Sequence, residues 1–148
     1  MCIRDRYDVP VICHGKEKDG ILKITKITSS ALKIVESGDT FQLGSQDLKI
    51  IHTPGHTPGS ICILWNQNLF AGDTLFINGC GRVDLPGGNA EDLFDSLKNR
   101  LLKLDPETIL YPGHAYSPQK SMKFTELIKL NPFIQNMTDK STWLRNFG

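Results

Sequence analysis

No run of apolar residues in this chain exceeds five (Ile61–Trp65), far short of the roughly 18 that a membrane-spanning helix needs. Net charge is almost absent: 17 Lys and Arg stand against 16 Asp and Glu. That balance excludes a chain-wide basic footprint for nucleic acid and an acidic disordered tail. The four cysteines, at 2, 13, 62 and 80, form no C-x-x-C pair, which speaks against a cysteine-based zinc module. Met1–Arg6 is charged rather than apolar, so it does not read as a signal peptide, and free thiols in a reducing cytoplasm are expected. There is no repeat and no low-complexity tract. There is also no H-x-H pair: the four histidines stand singly at 14, 52, 56 and 114.

What is present suits one globular domain. A chain of 148 residues, 39% of them hydrophobic, can bury a sizeable core. The stretch 1–6 is unlike the rest of the chain and resembles a translated adapter scar. It is expected to be a non-native or frayed leader, with the domain running over 7–148. Val9–Cys13 reads as a short buried strand and Gly15–Gly20 as a polar turn. Ile21–Ile34 fits neither the helical nor the strand period. Thr40–Leu43 and Leu48–His52 read as a hairpin around a glycine-containing loop. Two Pro-Gly pairs make Thr53–Gly59 a rigid loop. Ser60–Trp65 and Asn68–Phe70 read as strands about an Asn66-Gln67 turn, and 71–88 as loop. Asn89 reads as the N-cap of an amphipathic helix over 90–104, with Leu93, Phe94, Leu97, Leu101 and Leu104 on one face. Thr108–Tyr111 reads as a strand and Ser121–Leu130 as a helix ended by Asn131-Pro132. Cys13 and Cys62 are expected in the core, as is Cys80, whose alternative is a thiol at the site.

Three strands end alike. One runs into Pro54-Gly55-His56, one into Gly72-Asp73, one into Pro112-Gly113-His114. Each sets a His or Asp just past a strand, behind a glycine that lets the backbone turn tightly, and ligand sites gather at such strand ends. Two imidazoles and a carboxylate are sound donors for zinc or iron: the imidazoles are neutral nitrogen donors, and the carboxylate offsets the ion's charge and can bridge two ions.

Thr53-Pro-Gly-His-Thr-Pro-Gly-Ser60, Phe70-Ala-Gly-Asp-Thr-Leu-Phe76 and Tyr111-Pro-Gly-His114 resemble three of the five signatures of the metallo-β-lactamase superfamily. Gly79-Cys-Gly-Arg-Val-Asp-Leu-Pro-Gly-Gly88 and Asn131-Pro-Phe133 resemble its glyoxalase II-like and persulfide dioxygenase branch. The resemblance implies an α/β fold of the αβ/βα sandwich type with two zinc ions at one edge of the sheets. It further implies that His56 is the third histidine of the first metal, that Asp73 bridges both metals and is the catalytic candidate, and that His114 completes the second. It implies hydrolysis of a thioester, such as an acyl-glutathione, by metal-bound hydroxide. The alternatives are a persulfide dioxygenase with a single iron and a non-catalytic fragment or interaction module.

The family's first signature, T-H-x-H-x-D-H, has no counterpart here. The chain therefore resembles the C-terminal part of a family domain and is expected to lack roughly its first third. Three donors remain of about seven, so the chain alone is expected to hold zinc poorly, or not at all, and to cleave no thioester. His14 and His52 match no ligand position and read as strand-end or surface residues. Arg82 and Asp84 read as a pair orienting the loop after Asp73, or as an exposed ion pair. Tyr111, Tyr116, Lys120 and Lys123 are candidate substrate contacts near His114. The expected partner is a small-molecule thioester or glutathione conjugate, with no nucleic acid and no membrane; missing strands at a sheet edge would favour self-association.

Overall fold

A computed structural model describes Tyr7 and residues 9–147; the leader expected at 1–6 lies outside the described residues. Two sheets organise the described residues. The small one pairs β1 (Val11–His14) with β2 (Leu32–Val35) in parallel. The large one runs in the order β3 (Thr40–Leu43), β4 (Gln46–His52), β5 (Ile61–Trp65), β6 (Asn68–Gly72), β7 (Ile109–Pro112), β8 (Met122–Lys123). All its pairs are antiparallel except β6 with β7. That one parallel step needs a crossover, and the loop and helical stretch between Gly72 and Ile109 supply it. The expected hairpin and the strands about Asn66 are present, with Asn66 in the left-handed region at φ 52°.

Several segments differ from the sequence reading, each for a local reason. The polar stretch expected as a turn is a short 3-10 turn over Gly15–Glu17, followed by helix α1 (Lys18–Thr25). No residue of α1 is buried, which explains why the periodicity of Ile21–Ile34 was illegible. The first strand starts at Val11; Val9 is exposed. The helix expected over 90–104 is α2 (Ala90–Asp95), a π-helical turn at Ser96–Arg100 and a 3-10 turn at Leu101–Lys103. Asn89 caps it as expected, its side chain accepting from the Glu91 and Asp92 amides at 2.9 and 3.1 Å. Met122 and Lys123 are edge strand rather than helix, and α3 begins at Phe124 and runs to Leu130. The weakly patterned C-terminus forms α4 (Pro132–Gln135) and α5 (Lys140–Leu144). Trp143 is fully buried there and meets Phe94 edge-on.

The main core lies between the large sheet and these helices. Strand alternation sends Ile51, Cys62, Leu69, Ala71 and Leu110 to one face, where they pack against Leu93, Phe94, Leu97, Leu101, Phe124, Leu127 and Trp143. Cys13 and Cys62 are buried as expected, and burial pushes the Cys62 thiol up to about 11. The opposite face carries the register row Ile50, Ile63, Phe70, Tyr111. The small sheet lies at the β3–β4 end: Lys33 of β2 sits over the Phe41 ring, and His14 of β1 stacks on His52 of β4 at 4.0 Å. His14 and His52 are indeed strand-end residues, but His14 is buried. No described helix is long and apolar enough to cross a membrane.

Candidate metal centre

The three strand ends bring their donors together. Asp73 Oδ2 lies 3.2 Å from His114 Nε2 and 3.9 Å from His56 Nε2. His56 follows Gly55, whose φ of 139° favours glycine. A Cβ at Gly55 would also stand 2.4 Å from Leu93 Cα, so the loop can lie against α2 only without a side chain there. Buried Thr53 links the loop to the Asp73 turn through Thr74, hydroxyl to hydroxyl at 3.0 Å. Gly113 donates to Gly72 O at 2.7 Å, tying the His114 turn to the Asp73 turn.

One hydrogen bond decides how His56 can act. Its Nδ1 lies 2.7 Å from the Arg82 carbonyl. A carbonyl only accepts, so Nδ1 carries a proton, and Nε2 is the nitrogen that faces Asp73. That is how metal-bound histidines are oriented. Two donors about 2.0–2.2 Å from one ion stand a little over 3 Å apart, which the His114–Asp73 spacing matches and the His56–Asp73 spacing exceeds. The donors thus suit a metal in kind. In number they fall short: among the described residues no three of His, Cys, Asp and Glu close into a metal-holding group.

A cavity of about 450 Å³ opens beside these donors, lined by His56, Asp73, Phe76, Cys80, Arg82 and Tyr116 among others. Tyr116 stacks on His114 at 5.3 Å and meets Phe76 edge-on, so the candidate Tyr116 is at the site. Arg82 also lines it, its guanidinium gripping Asp84 at 2.7 and 2.6 Å while both stay largely exposed. That bond holds the Asp84 carboxyl down at about 2. The pair is thus an exposed ion pair; it is the Arg82 backbone that orients His56. Cys80 is a lining residue rather than a fully buried one, and burial pushes its thiol to about 12. Three candidates lie elsewhere. Lys120 is exposed and lines neither this cavity nor the small one behind His114. Lys123 pairs with Glu107, and Tyr111 stacks on Phe70 across the sheet.

Asn131 has a role that the sequence did not disclose. Fully buried, it donates to the Phe76 and Gly79 carbonyls at 2.9 and 3.0 Å while capping α4. It therefore holds the cavity wall after Asp73. The sequence signals were an Asn before Pro at a helix boundary and the resemblance of Asn131-Pro-Phe133 to the family branch, and neither pointed to the loop carbonyls.

The model of the metallo-beta-lactamase superfamily matches residues 3–114. The chain belongs to that superfamily. It is 39% identical over 101 residues to the probable polyketide biosynthesis zinc-dependent hydrolase BaeB of Bacillus velezensis, covering 68% of this chain and 45% of that protein. Among solved structures it is similar to ETHE1 from Myxococcus xanthus, with a TM-score of 0.83 at 30% identity, covering 98% of this chain and 60% of that one. It is also similar to TTHA1623 in a di-iron-bound form, with a TM-score of 0.68 at 30% identity, covering 88% and 67%. The chain spans about half the length of curated relatives such as BaeB. The mixed α/β architecture expected from the sequence is the one these superfamily structures share.

Proposed function

We propose that the chain carries the C-terminal donors of a metal-dependent hydrolase acting on a thioester such as an acyl-glutathione, with zinc as the metal. The observation that carries this reading is Asp73 Oδ2 lying between two imidazole Nε2 atoms, one of which has its tautomer fixed by a carbonyl. A bound divalent ion would make water a nucleophile near neutral pH and polarise the carbonyl under attack. The chain's own groups do the rest. His56 and His114 would supply imidazole nitrogens, and Asp73 supplies negative charge that both can share. Phe76 and Tyr116 form an apolar wall for the acyl part. The free thiols Cys13, Cys62 and Cys80 support a reducing, cytoplasmic setting. The domain over 7–148 is proposed as the C-terminal portion of one metallo-β-lactamase-like domain.

Zinc binding tests the reading. The chain alone should take up zinc weakly and cleave no thioester, and D73N should weaken uptake by at least about tenfold. Equal zinc affinity in D73N would overturn the assignment of the donors. Stoichiometric, dialysis-resistant zinc would overturn the proposal that donors are lacking. A second reading, a persulfide dioxygenase on one iron, draws support from the likeness to ETHE1 from Myxococcus xanthus. Oxygen uptake with a glutathione persulfide, in iron-loaded protein, would select it.

A further inference from the structure

We infer that Ser96 and Arg100 are positioning residues for His56, acting through the backbone of residues 52–55. The chain before His56 runs antiparallel to the helical stretch 89–100, and contacts between the two climb in register. The Arg100 guanidinium donates to the His52 carbonyl. Ser96 Oγ donates to the Pro54 carbonyl at 2.7 Å. The Leu93 backbone lies against Gly55, and the Asn89 amide donates to the Gly55 carbonyl at 2.8 Å. Ascending loop residues thus meet descending helix residues, and the carbonyls at 52, 54 and 55 are all taken by the helix.

Two features separate this from ordinary packing. Ser96 is 1% exposed and sits between the core leucines Leu93 and Leu97. A hydroxyl there forgoes apolar burial and is tolerated only with a partner; its partner is the loop carbonyl. The turn that carries Ser96 and Arg100 is π-helical, with the Leu101 amide shared between the Leu97 and Ser96 carbonyls. Such turns are rare and occur mostly at functional positions. The amides of Thr53 and Gly55 are meanwhile taken inside the loop, by Ser60 O and Thr57 O at 2.8 and 3.2 Å. The carbonyls of 52, 54 and 55 and the amides of 53 and 55 are therefore all held in the backbone entering His56. The ring is then fixed from the far side by the Arg82 carbonyl. The inference rests on the proposed metal reading only for its chemical consequence: a shifted His56 presents Nε2 in the wrong place.

The test uses the 148-residue chain and four variants: S96A, R100M, R100K and L127A. The first readout is the ring nitrogen spectrum of His56 in metal-free protein at pH 8. The native chain should show one tautomer, protonated at Nδ1. S96A should show a mixture of the two tautomers and a zinc affinity lower by about tenfold. R100M, at an exposed position that tolerates change, should move the same signals in the same direction, and R100K should restore them. L127A, which removes core packing away from the loop, should lower Tm while leaving the His56 signals in place. If S96A and R100M change Tm but leave the His56 spectrum where L127A leaves it, the inference is overturned. Should D73N take up zinc as well as the native chain does, the metal reading alone falls, because the ring signals still decide whether the two residues position His56.

Discussion

The two faces of the large sheet are built from similar residues and live in different surroundings. On the helix side, Leu69 and Leu110 are fully buried. On the other side, in the next register row, Phe70 is 40% exposed and Tyr111 half-buried. Leu43, Leu48, Trp65 and Phe70 together line an open apolar depression there. The small sheet covers only the β3–β4 end, where Ile50, Val35 and Cys13 are buried outside the main core cluster. Side-chain type therefore does not decide burial in this chain; the position of the covering element does. Stability should accordingly be concentrated on one face, while the other should respond to solvent.

The largest effect should come from the covered face. Leu110→Ala removes a fully buried side chain and should cost about 2–5 kcal/mol, read by urea denaturation; a cost below about 1 kcal/mol would abolish the contrast. Asn131→Ala should come next, at about 2–3 kcal/mol, because it leaves the Phe76 carbonyl without its donor and the Gly79 carbonyl with the Phe76 amide alone. Its signature should be loss of the cavity wall, seen as faster amide exchange through 76–80.

The junction of the two sheets should show in pH. Burial holds His52 below the ordinary imidazole value, outweighing the upward pull of its bond to the Pro58 carbonyl, and His14, Arg100 and Lys16 add to the depression. The unfolded chain therefore takes the proton more readily than the folded one. Stability from this group is intact above about pH 6.5 and falls as pH drops through and below that value. Glu36, which meets His14 Nε2 at 3.0 Å, faces the same junction. Tm measured from pH 8 to 5 should decline, and His52→Gln should flatten part of that decline; an unchanged slope would remove His52 as its cause. The smallest effect should come from the open face. Phe70→Ser should change stability by about 0.5 kcal/mol or less and reduce self-association in sedimentation. A large loss would mean that the face is covered in solution.

How much of this was legible followed from how local the signal was. His56, Asp73 and His114 could be read because each sits just past a strand behind a glycine, a pattern contained in a few residues. The leucine stripe of α2 and its Asn89 cap were legible for the same reason. The π turn was not, since an extra residue in a helical turn leaves the apolar spacing nearly intact. Ser96 and Arg100 were illegible as loop anchors because they act on backbone carbonyls 42 and 48 residues away, which imposes no residue type on the loop. The small sheet was obscured by α1, which buries nothing and so shows no period. The C-terminal helices are too short for periodicity to reveal; only Trp143 marked them.

The two tryptophans give the contrast between the faces an optical form. Trp143 is fully buried beneath the helices, its indole nitrogen donating to the Phe133 carbonyl. Trp65 stands on the open face, half-buried, its nitrogen donating to Gln46. Emission from the first should be blue-shifted and deaf to iodide; emission from the second should be red-shifted and readily quenched. The protein thus carries one fluorophore for each side of its sheet, and a Trp65→Phe variant would leave a spectrum that reports on the core alone.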